Sequence, residues 1–270
     1  CPGPNPVWPR FSIRCRSWGG AWGPVSSRKK FQCRGTADPQ FPGVATMLKR
    51  RLIPVLFLKD GWMVRSEEFR THQIIGEPVS HVERMVQWDV DELIVIDISM
   101  GTDTAFERHR RGYGRRTVST LLGFSQVISV DCRIPLTIGG RVNSVDAVAQ
   151  RIRHGADKVT INSAALKDST LISDCAKMFG SQAIVASVDY KTQDDDQFVW
   201  TDFGKTRTQH RLLDWVRVLE DQGAGEIFLT DIDRDGSAQG YDLETIDRVA
   251  NAVSIPVIAC SGAGHQRHFL

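Results

Sequence analysis

The feature that most constrains this chain is an echo between its two halves. The segment DELIVID at residues 91–97 recurs in outline as GEIFLTD at residues 225–231. Each copy is followed by a helix-like segment and then by one member of a second matched pair, IPLTIGG at 134–140 in the first half and IPVIACSG at 255–262 in the second. Apolar β-branched runs that alternate with amphipathic helices are typical of a parallel sheet. Repeated strand–helix units that end in Gly or Asp predict a barrel whose reactive groups lie at one rim.

The length of the chain fits one large domain of this kind. Barrels built from eight strand–helix units use about 250 residues, and the chain has 270. We therefore predict an α/β fold, a (β/α)8 TIM-type barrel over residues 47–270. Seven strand signals are present and the text ends about one turn into the seventh helix, so we expect a barrel truncated before strand 8.

Composition separates residues 1–46 from the rest. They contain seven Lys or Arg and one Asp, with many Pro and Gly, and we expect a disordered or non-native extension. The remainder holds 27 basic and 31 acidic residues, which argues against a nucleic-acid-binding surface.

The sequence also argues against several other classes of protein. Its six cysteines form no CxxC pair and its seven histidines show no metal-ligand spacing, so a reduced, cytoplasmic protein without a metal site is expected. It contains no nucleotide-binding glycine motif and no apolar run long enough for a bilayer. We therefore expect no cofactor and no membrane association.

Candidate site residues lie where the predicted strands end, because barrel enzymes carry their chemistry at that rim. Glycine-rich turns with free backbone N–H groups bind phosphate, and two such regions on opposite sides of the rim suggest a ligand with a phosphate at each end. The candidates are Lys59, Asp97, Gly140, Asn162, Ser163, Asp189, Asp235, Gly236 and Gly262.

Two long motifs identify a family resemblance. The text GADKVTINSAA at residues 155–165 and DRDGSAQGYD at residues 233–242 resembles the cyclase subunit (HisF) of imidazole glycerol phosphate synthase, and the likeness covers residues 47–270. The resemblance implies a histidine-biosynthesis enzyme that receives ammonia from a glutaminase subunit (HisH-like) in a heterodimer. The ammonia would convert a bisphosphorylated ribulosyl aminoimidazole carboxamide substrate to imidazole glycerol phosphate.

The resemblance also assigns roles at the rim. Family members use two aspartates as general acid and base, and Asp189 matches one of them. Phe57 stands at the other position, and the echo agrees, because aligning Lys59 with Lys191 pairs Phe57 with Asp189. Arg65 matches a lysine on a mobile, substrate-covering loop of the family.

At the opposite end of the barrel, the resemblance implies an ammonia gate. The four charged residues of the gate match Arg51, Glu92, Lys158 and Glu226, each at or near a strand start. Asp157 matches a residue at the glutaminase interface.

Three departures from the family leave other functions open. They are Phe57, Arg141 in place of a phosphate-turn glycine, and a loop after the second strand that is 13 residues longer than its echo and basic at residues 108–116. The loop is either solvated or a cover over an anionic ligand. One alternative is a paralogue that delivers ammonia to the amidation of a surface sugar. Another is a noncatalytic subunit that only channels ammonia.

Overall fold

A computed structural model describes residues 50–100, 120–194 and 196–269. The predicted extension at 1–46 and the basic loop at 108–116 lie outside the described residues. None of the helices in the described ranges combines the length and the apolar character needed to cross a bilayer.

The described residues form eleven strands and seven α-helices. The strands are β1 (Val55–Lys59), β2 (Trp62–Glu67), β3 (Thr71–Gly76), β4 (Leu93–Asp97), β5 (Leu136–Gly139), β6 (Lys158–Ile161), β7 (Ile184–Gln193), β8 (Asp196–Thr201), β9 (Thr206–Arg211), β10 (Glu226–Asp231) and β11 (Val257–Cys260). The helices are α1 (Pro78–Gln87), α2 (Leu121–Asp131), α3 (Val145–Arg153), α4 (Ser163–Lys167), α5 (Leu171–Phe179), α6 (Leu212–Asp221) and α7 (Leu243–Ala252). Short 3₁₀ turns cover Ser181–Ala183 and Gln266–Phe269.

The parallel sheet predicted from the echo is confirmed. Strands β1, β4, β5, β6, β7, β10 and β11 run parallel and are hydrogen-bonded in that order. The two echo segments are β4 and β10, and helices connect most successive strands. Within the described ranges, β11 pairs with β10 alone.

Side chains alternate along each strand and so build two separate apolar clusters. On the outer face, residues such as Leu58, Val95 and Leu229 pack with the helices into the larger cluster. Burying an aliphatic side chain of this size stabilises a fold by about 1.5–3 kcal/mol, so this cluster contributes most of the stability.

The smaller cluster lies on the inner face and shows that the sheet curls. Its members include Phe228 and Ile258, with Val55 packed against them. Strands β1 and β11 are at opposite ends of the parallel order, yet Val55 and Ile258 contribute to the same cluster. The sheet therefore closes toward itself as the wall of a (β/α) barrel.

Side-chain caps fix the starts of several helices, including α3 and α7. The Ser144 side chain accepts a hydrogen bond from Ala147 N (3.2 Å), as the predicted N-cap of α3. Asp242 caps α7 in the same way by accepting from Thr245 N at 3.2 Å.

Two antiparallel hairpins rise from the carboxyl end of the barrel. The β7–β8 turn, predicted near residues 194–196, is confirmed by the pairing of Gln193 with Asp196. The β2–β3 hairpin that follows β1 was not predicted, and it pairs along the edge of β1 through Phe57 and Val64.

Candidate active site

A cavity of about 520 Å³ opens at the carboxyl ends of the parallel strands, where the sequence predicted the chemistry. Seven of the residues singled out from the sequence line it together: Phe57, Asp97, Gly140, Arg141, Asn162, Ser163 and Asp189. Lys59, Arg65, Asp235, Gly236 and Gly262 do not line it.

Asp189 is the best-placed proton carrier in the cavity. It lies on β7 beside Thr230 of β10, and its Oδ2 accepts a hydrogen bond from Asn162 Nδ2 at 2.8 Å. Burial raises the pKa of Asp189 to about 6, although hydrogen bonds from Asn162 and Thr230 favour the ionised form. A carboxyl group with this pKa can both accept and return a proton near neutral pH.

Phe57 lines the same cavity from β1. It pairs with Ile96 of β4 on one side and with Val64 of β2 on the other. Its ring carries no exchangeable proton, so this wall of the cavity is apolar where the family resemblance places a second carboxylate.

Asp97 holds the turn after β5 rather than presenting a free carboxylate. Its buried side chain accepts hydrogen bonds from the backbone N–H (3.0 Å) and hydroxyl of Ser99 and forms an ion pair with Arg141. Gly140 has φ +100°, and a Cβ there would lie 2.2 Å from the carbonyl oxygen of Asp97. The turn therefore requires glycine at 140, and Arg141 directs its guanidinium onto Asp97.

The turn after β6 places polar groups on another wall. Ser163 begins α4, and its Oγ accepts a hydrogen bond from Thr201 Oγ1 at 2.7 Å. Lys167, the last residue of this short helix, also lines the cavity. It was not among the predicted site residues. It lies one turn after Ser163, where its ammonium group can pair with a bound phosphate.

Asp235 and Gly236 hold the β2–β3 hairpin against the barrel. The Asp235 carboxylate accepts hydrogen bonds from Ser66 Oγ (2.7 Å) and Phe69 N (3.2 Å). Arg65 Nη2 donates to the Gly236 carbonyl at 3.2 Å. These contacts anchor the hairpin, and a role in binding phosphate stays a prediction for all three predicted site residues.

Gly262 belongs to a separate turn after β11. Its carbonyl accepts a hydrogen bond from Gly240 N at 2.7 Å, which joins this turn to the loop after β10. Its predicted phosphate-binding role also stays a prediction.

The unpredicted hairpin brings a histidine to the cavity. His72 lies on β3 and lines the cavity, with its Nδ1 3.1 Å from Lys59 Nζ. Burial and the Lys59 ammonium lower the pKa of His72, against an opposing effect of Asp235. No spacing in the sequence pointed to His72, because the hairpin that positions it carries no recognisable turn signal.

Two turns, one between β2 and β3 and one between the antiparallel strands β8 and β9, present matching aromatic residues to the cavity. Phe69 and Phe203 both line it, with φ of 58° and 59°. Each follows an acidic residue that also has positive φ, Glu68 at 49° and Asp202 at 51°. A bulky residue in this backbone region is held there by its surroundings, and such residues cluster at ligand sites.

At the amino end of the barrel, the four predicted gate residues form one network. Lys158 Nζ lies 3.0 Å from Glu92 Oε2 and 2.9 Å from Glu226 Oε2. Arg51 forms ion pairs with the other oxygens of the same two carboxylates, at 3.0 Å for Glu226. Each glutamate therefore contacts both cations, and the charges alternate around the mouth.

Asp157 stands next to this network and is exposed. Its carboxylate accepts a hydrogen bond from Leu136 N at 2.9 Å, which fixes the start of β5. A role for Asp157 at a glutaminase interface stays a prediction.

Comparison with known proteins agrees with this geometry. A sequence profile described as histidine biosynthesis protein matches residues 51–270. The chain is 39% identical over 226 residues to imidazole glycerol phosphate synthase subunit HisF of Staphylococcus carnosus, covering 83% of this chain and 84% of the relative. The HisF subunit of Sulfolobus acidocaldarius is 39% identical over 225 residues, which cover 83% of this chain and 85% of that protein.

Proposed function

The chain belongs to the family of histidine biosynthesis proteins, and we propose that it acts as the cyclase subunit of an imidazole glycerol phosphate synthase. In this role it uses ammonia to convert a bisphosphorylated ribulosyl aminoimidazole carboxamide to imidazole glycerol phosphate. The observation that carries the proposal is the placement of Asp189, with its pKa near 6, in a rim cavity above a charged amino-terminal mouth.

The interior of the barrel supports a path for ammonia from the mouth to the cavity. The inner cluster between the two ends is apolar and includes Ile94, Val185 and Phe228. An apolar interior admits neutral ammonia much more readily than ammonium, because burying an unpaired charge is costly. Entry requires one of the ion pairs of the mouth to open, and Arg51, the most exposed member of the network, is the residue we expect to move.

Asp189 supplies the proton chemistry of the proposed reaction. At neutral pH it is mostly ionised and accepts a proton as ammonia attacks, and it can return that proton later. Asn162, which donates to Asp189 at 2.8 Å, fixes the orientation of the carboxylate.

We place the two phosphates of the substrate on opposite sides of the rim. One lies at Ser163, where the nearby Lys167 adds a positive charge. The other lies at the turns that contain Gly236 and Gly262, with Arg65 and Lys59 on the adjoining hairpin and strand. These turns supply backbone N–H groups, which bind phosphate without a long flexible side chain.

We propose a glutaminase subunit as the partner, docked on the face that carries the mouth. The names of the relatives describe them as subunits of a synthase. Asp157 is exposed beside Lys158 on this face, which supports a polar contact there. We place the complex in the cytoplasm, in keeping with the free thiols of Cys132, Cys175 and Cys260.

Phe57 favours a second candidate function. An aromatic ring at this position removes one of the two proton carriers that the family uses. Phe57, Phe69, Phe203 and Phe228 give the cavity several aromatic walls. The second candidate is therefore a paralogue that delivers ammonia to the amidation of a surface sugar, and a subunit that only channels ammonia is the limiting case.

Ammonia-dependent turnover of the bisphosphorylated ribulosyl substrate separates these candidates. Wild-type protein is assayed beside Phe57→Asp, with free ammonia supplied in place of the glutaminase. Turnover by the wild type supports the cyclase. Turnover by the variant alone indicates an intact site that lacks one proton carrier, and no turnover by either contradicts the cyclase and favours another substrate.

A further inference from the structure

We propose that His72, relayed by Lys59, is the proton donor that takes the place of the carboxylate missing at position 57. The proposal rests on the proposed cyclase function and adds a catalytic residue to it. Three observations support it: the contact between Lys59 and His72, the position of His72 in the cavity, and the anchoring of the hairpin that carries it.

The first is the geometry of the Lys59–His72 pair. Lys59 is the last residue of β1 and His72 lies on β3, and Nζ of one is 3.1 Å from Nδ1 of the other. An ammonium group can only donate hydrogen bonds, so Nδ1 accepts and neutral His72 carries its proton on Nε2. This tautomer leaves an N–H group as the free donor of the ring.

The second is the position of His72 in the cavity. It lines the same cavity as Asp189 and Phe57, but it is supplied by the hairpin that follows β1 rather than by a barrel strand. The side chain is partly buried, so a proton on this ring is within reach of a bound substrate while remaining shielded from bulk water.

The third is the support around the hairpin. Ser66 is the cross-strand partner of His72 and donates its hydroxyl proton to the buried Asp235 at 2.7 Å. The Asp235 carboxylate also accepts from Phe69 N at 3.2 Å. The hairpin is thereby fixed to the barrel at β2 and at its turn, and His72 is held in place through its pairing with Ser66.

The charges around His72 favour the neutral ring. The Lys59 ammonium disfavours a second positive charge, and Asp235 from the loop after β10 acts in the opposite sense. The other charged side chains that line the cavity are Asp97, Arg141, Lys167, Asp189 and Asp202. Asp97 and Arg141 are paired with each other, so neither is free to replace the relay.

The proton balance of the step is simple. The Nε2–H bond of His72 breaks as an N–H or O–H bond forms on the substrate. At the same time Nδ1 takes a proton from Lys59, which becomes neutral. After the product leaves, Nε2 takes a proton from solvent and Nδ1 returns its proton to Lys59, which restores the starting pair. Asp189 accepts the proton released elsewhere in the reaction, so the two groups divide the roles that two aspartates fill in the family.

The test combines a double-mutant cycle with a spectroscopic measurement. His72→Gln keeps an N–H donor but cannot relay a proton, and we expect turnover of the ribulosyl substrate with free ammonia to fall about 100-fold. Adding Phe57→Asp to this variant restores at least about 10-fold, whereas the same substitution changes the wild type little. His154→Gln serves as the matched control, because His154 contacts Gln150 O on α3, outside the cavity.

Nitrogen NMR of the wild-type protein tests the pair without any turnover. We expect the Nε2–H tautomer for His72, and a loss of this preference in Lys59→Met. The Nδ1–H tautomer in the wild type overturns the relay whatever the activity shows.

The kinetic outcomes separate this proposal from the proposed function. Equal turnover by wild type and His72→Gln, or equal gains from Phe57→Asp in both backgrounds, overturns the role of His72 while the cyclase stands. A wild type that is silent although its spectrum shows the Nε2–H tautomer overturns the cyclase, and with it the role of His72 in that reaction.

Discussion

The two ends of the barrel differ in how well the two halves of the internal repeat match. At the amino-terminal mouth the halves contribute equivalent residues, because Glu92 and Glu226 hold the same place in the repeated text and each contacts both cations. At the carboxyl-terminal rim the equivalent residues are Phe57 and Asp189, and only one of them can carry a proton.

The difference teaches that the symmetry of the scaffold does not extend to its chemistry. Ion pairs at the mouth depend on both halves at once, so losing either glutamate would leave both Arg51 and Lys158 with one carboxylate each. At the rim, each strand end supplies its own side chain, so a residue such as Phe57 can be substituted without changing the residues at neighbouring strand ends. The β2–β3 and β8–β9 turns still resemble each other, since both contain an acidic residue followed by phenylalanine at positive φ.

The largest expected effect comes from removing the rim carboxylate. Asp189→Asn keeps the size of the side chain but cannot accept a proton, so ammonia-dependent kcat/KM should fall about 10²–10⁴-fold in a steady-state assay. Asp174→Asn is the control, because Asp174 is exposed and forms an ion pair with Lys177 on a helix that does not line the cavity. Retention of full activity by Asp189→Asn would show that catalysis at the rim does not require the Asp189 carboxylate.

At the mouth, the expected effect is on stability. Lys158→Met removes the more buried cation and leaves Arg51 to pair with both mostly buried glutamates, so we expect a cost of about 3 kcal/mol, the lower end of the range for breaking a buried pair. Arg51→Met should cost less, because the Arg51 side chain is 33% exposed and that of Lys158 is 15% exposed. Denaturant unfolding measures both free energies, and an equal or reversed order would contradict the account of the network.

A smaller effect on stability tests the packing of the rim. Gly140→Ala and Gly240→Ala both place a side chain at positive φ, +100° and +95°, which costs about 1–3 kcal/mol. At Gly140 the new Cβ also meets the Asp97 carbonyl at 2.2 Å, whereas the nearest atom at Gly240 is 3.7 Å away in His268. We expect a lower melting temperature for Gly140→Ala than for Gly240→Ala, and similar values would show that the turn at Asp97 can shift.

The barrel wall could be predicted from the sequence because buried parallel strands leave a strong local signal. Continuous apolar runs predict β4 and β10, and the helix cap at Ser144 follows from a short polar side chain ahead of apolar periodicity. Asp189 and the contrast with Phe57 were also accessible, through the echo and the family resemblance.

The β2–β3 hairpin could not be predicted, and the residues it carries were missed with it. Its turn uses Glu68 and Phe69 at positive φ, where Gly or Asn is the usual signal. Tertiary contacts hold the turn instead, through Asp235, which is 166 residues away from Phe69 in the chain. His72 could not be identified from the sequence for the same reason. The sequence predicts a phosphate-binding role for Asp235 and gives no sign that its carboxylate anchors a hairpin.

The most direct test of the account is the pH dependence of kcat/KM for the wild type and Asn162→Ala, at a fixed concentration of free ammonia. Asp189 must be ionised to accept a proton, so activity should be lost as the pH falls through about 6. Asn162 donates to the charged carboxylate, so its removal should raise the pKa of Asp189 and move this limb about one unit higher. A limb near 6 that moves upward in Asn162→Ala is the predicted result, and an identical profile for the two proteins would contradict Asp189 as the proton carrier.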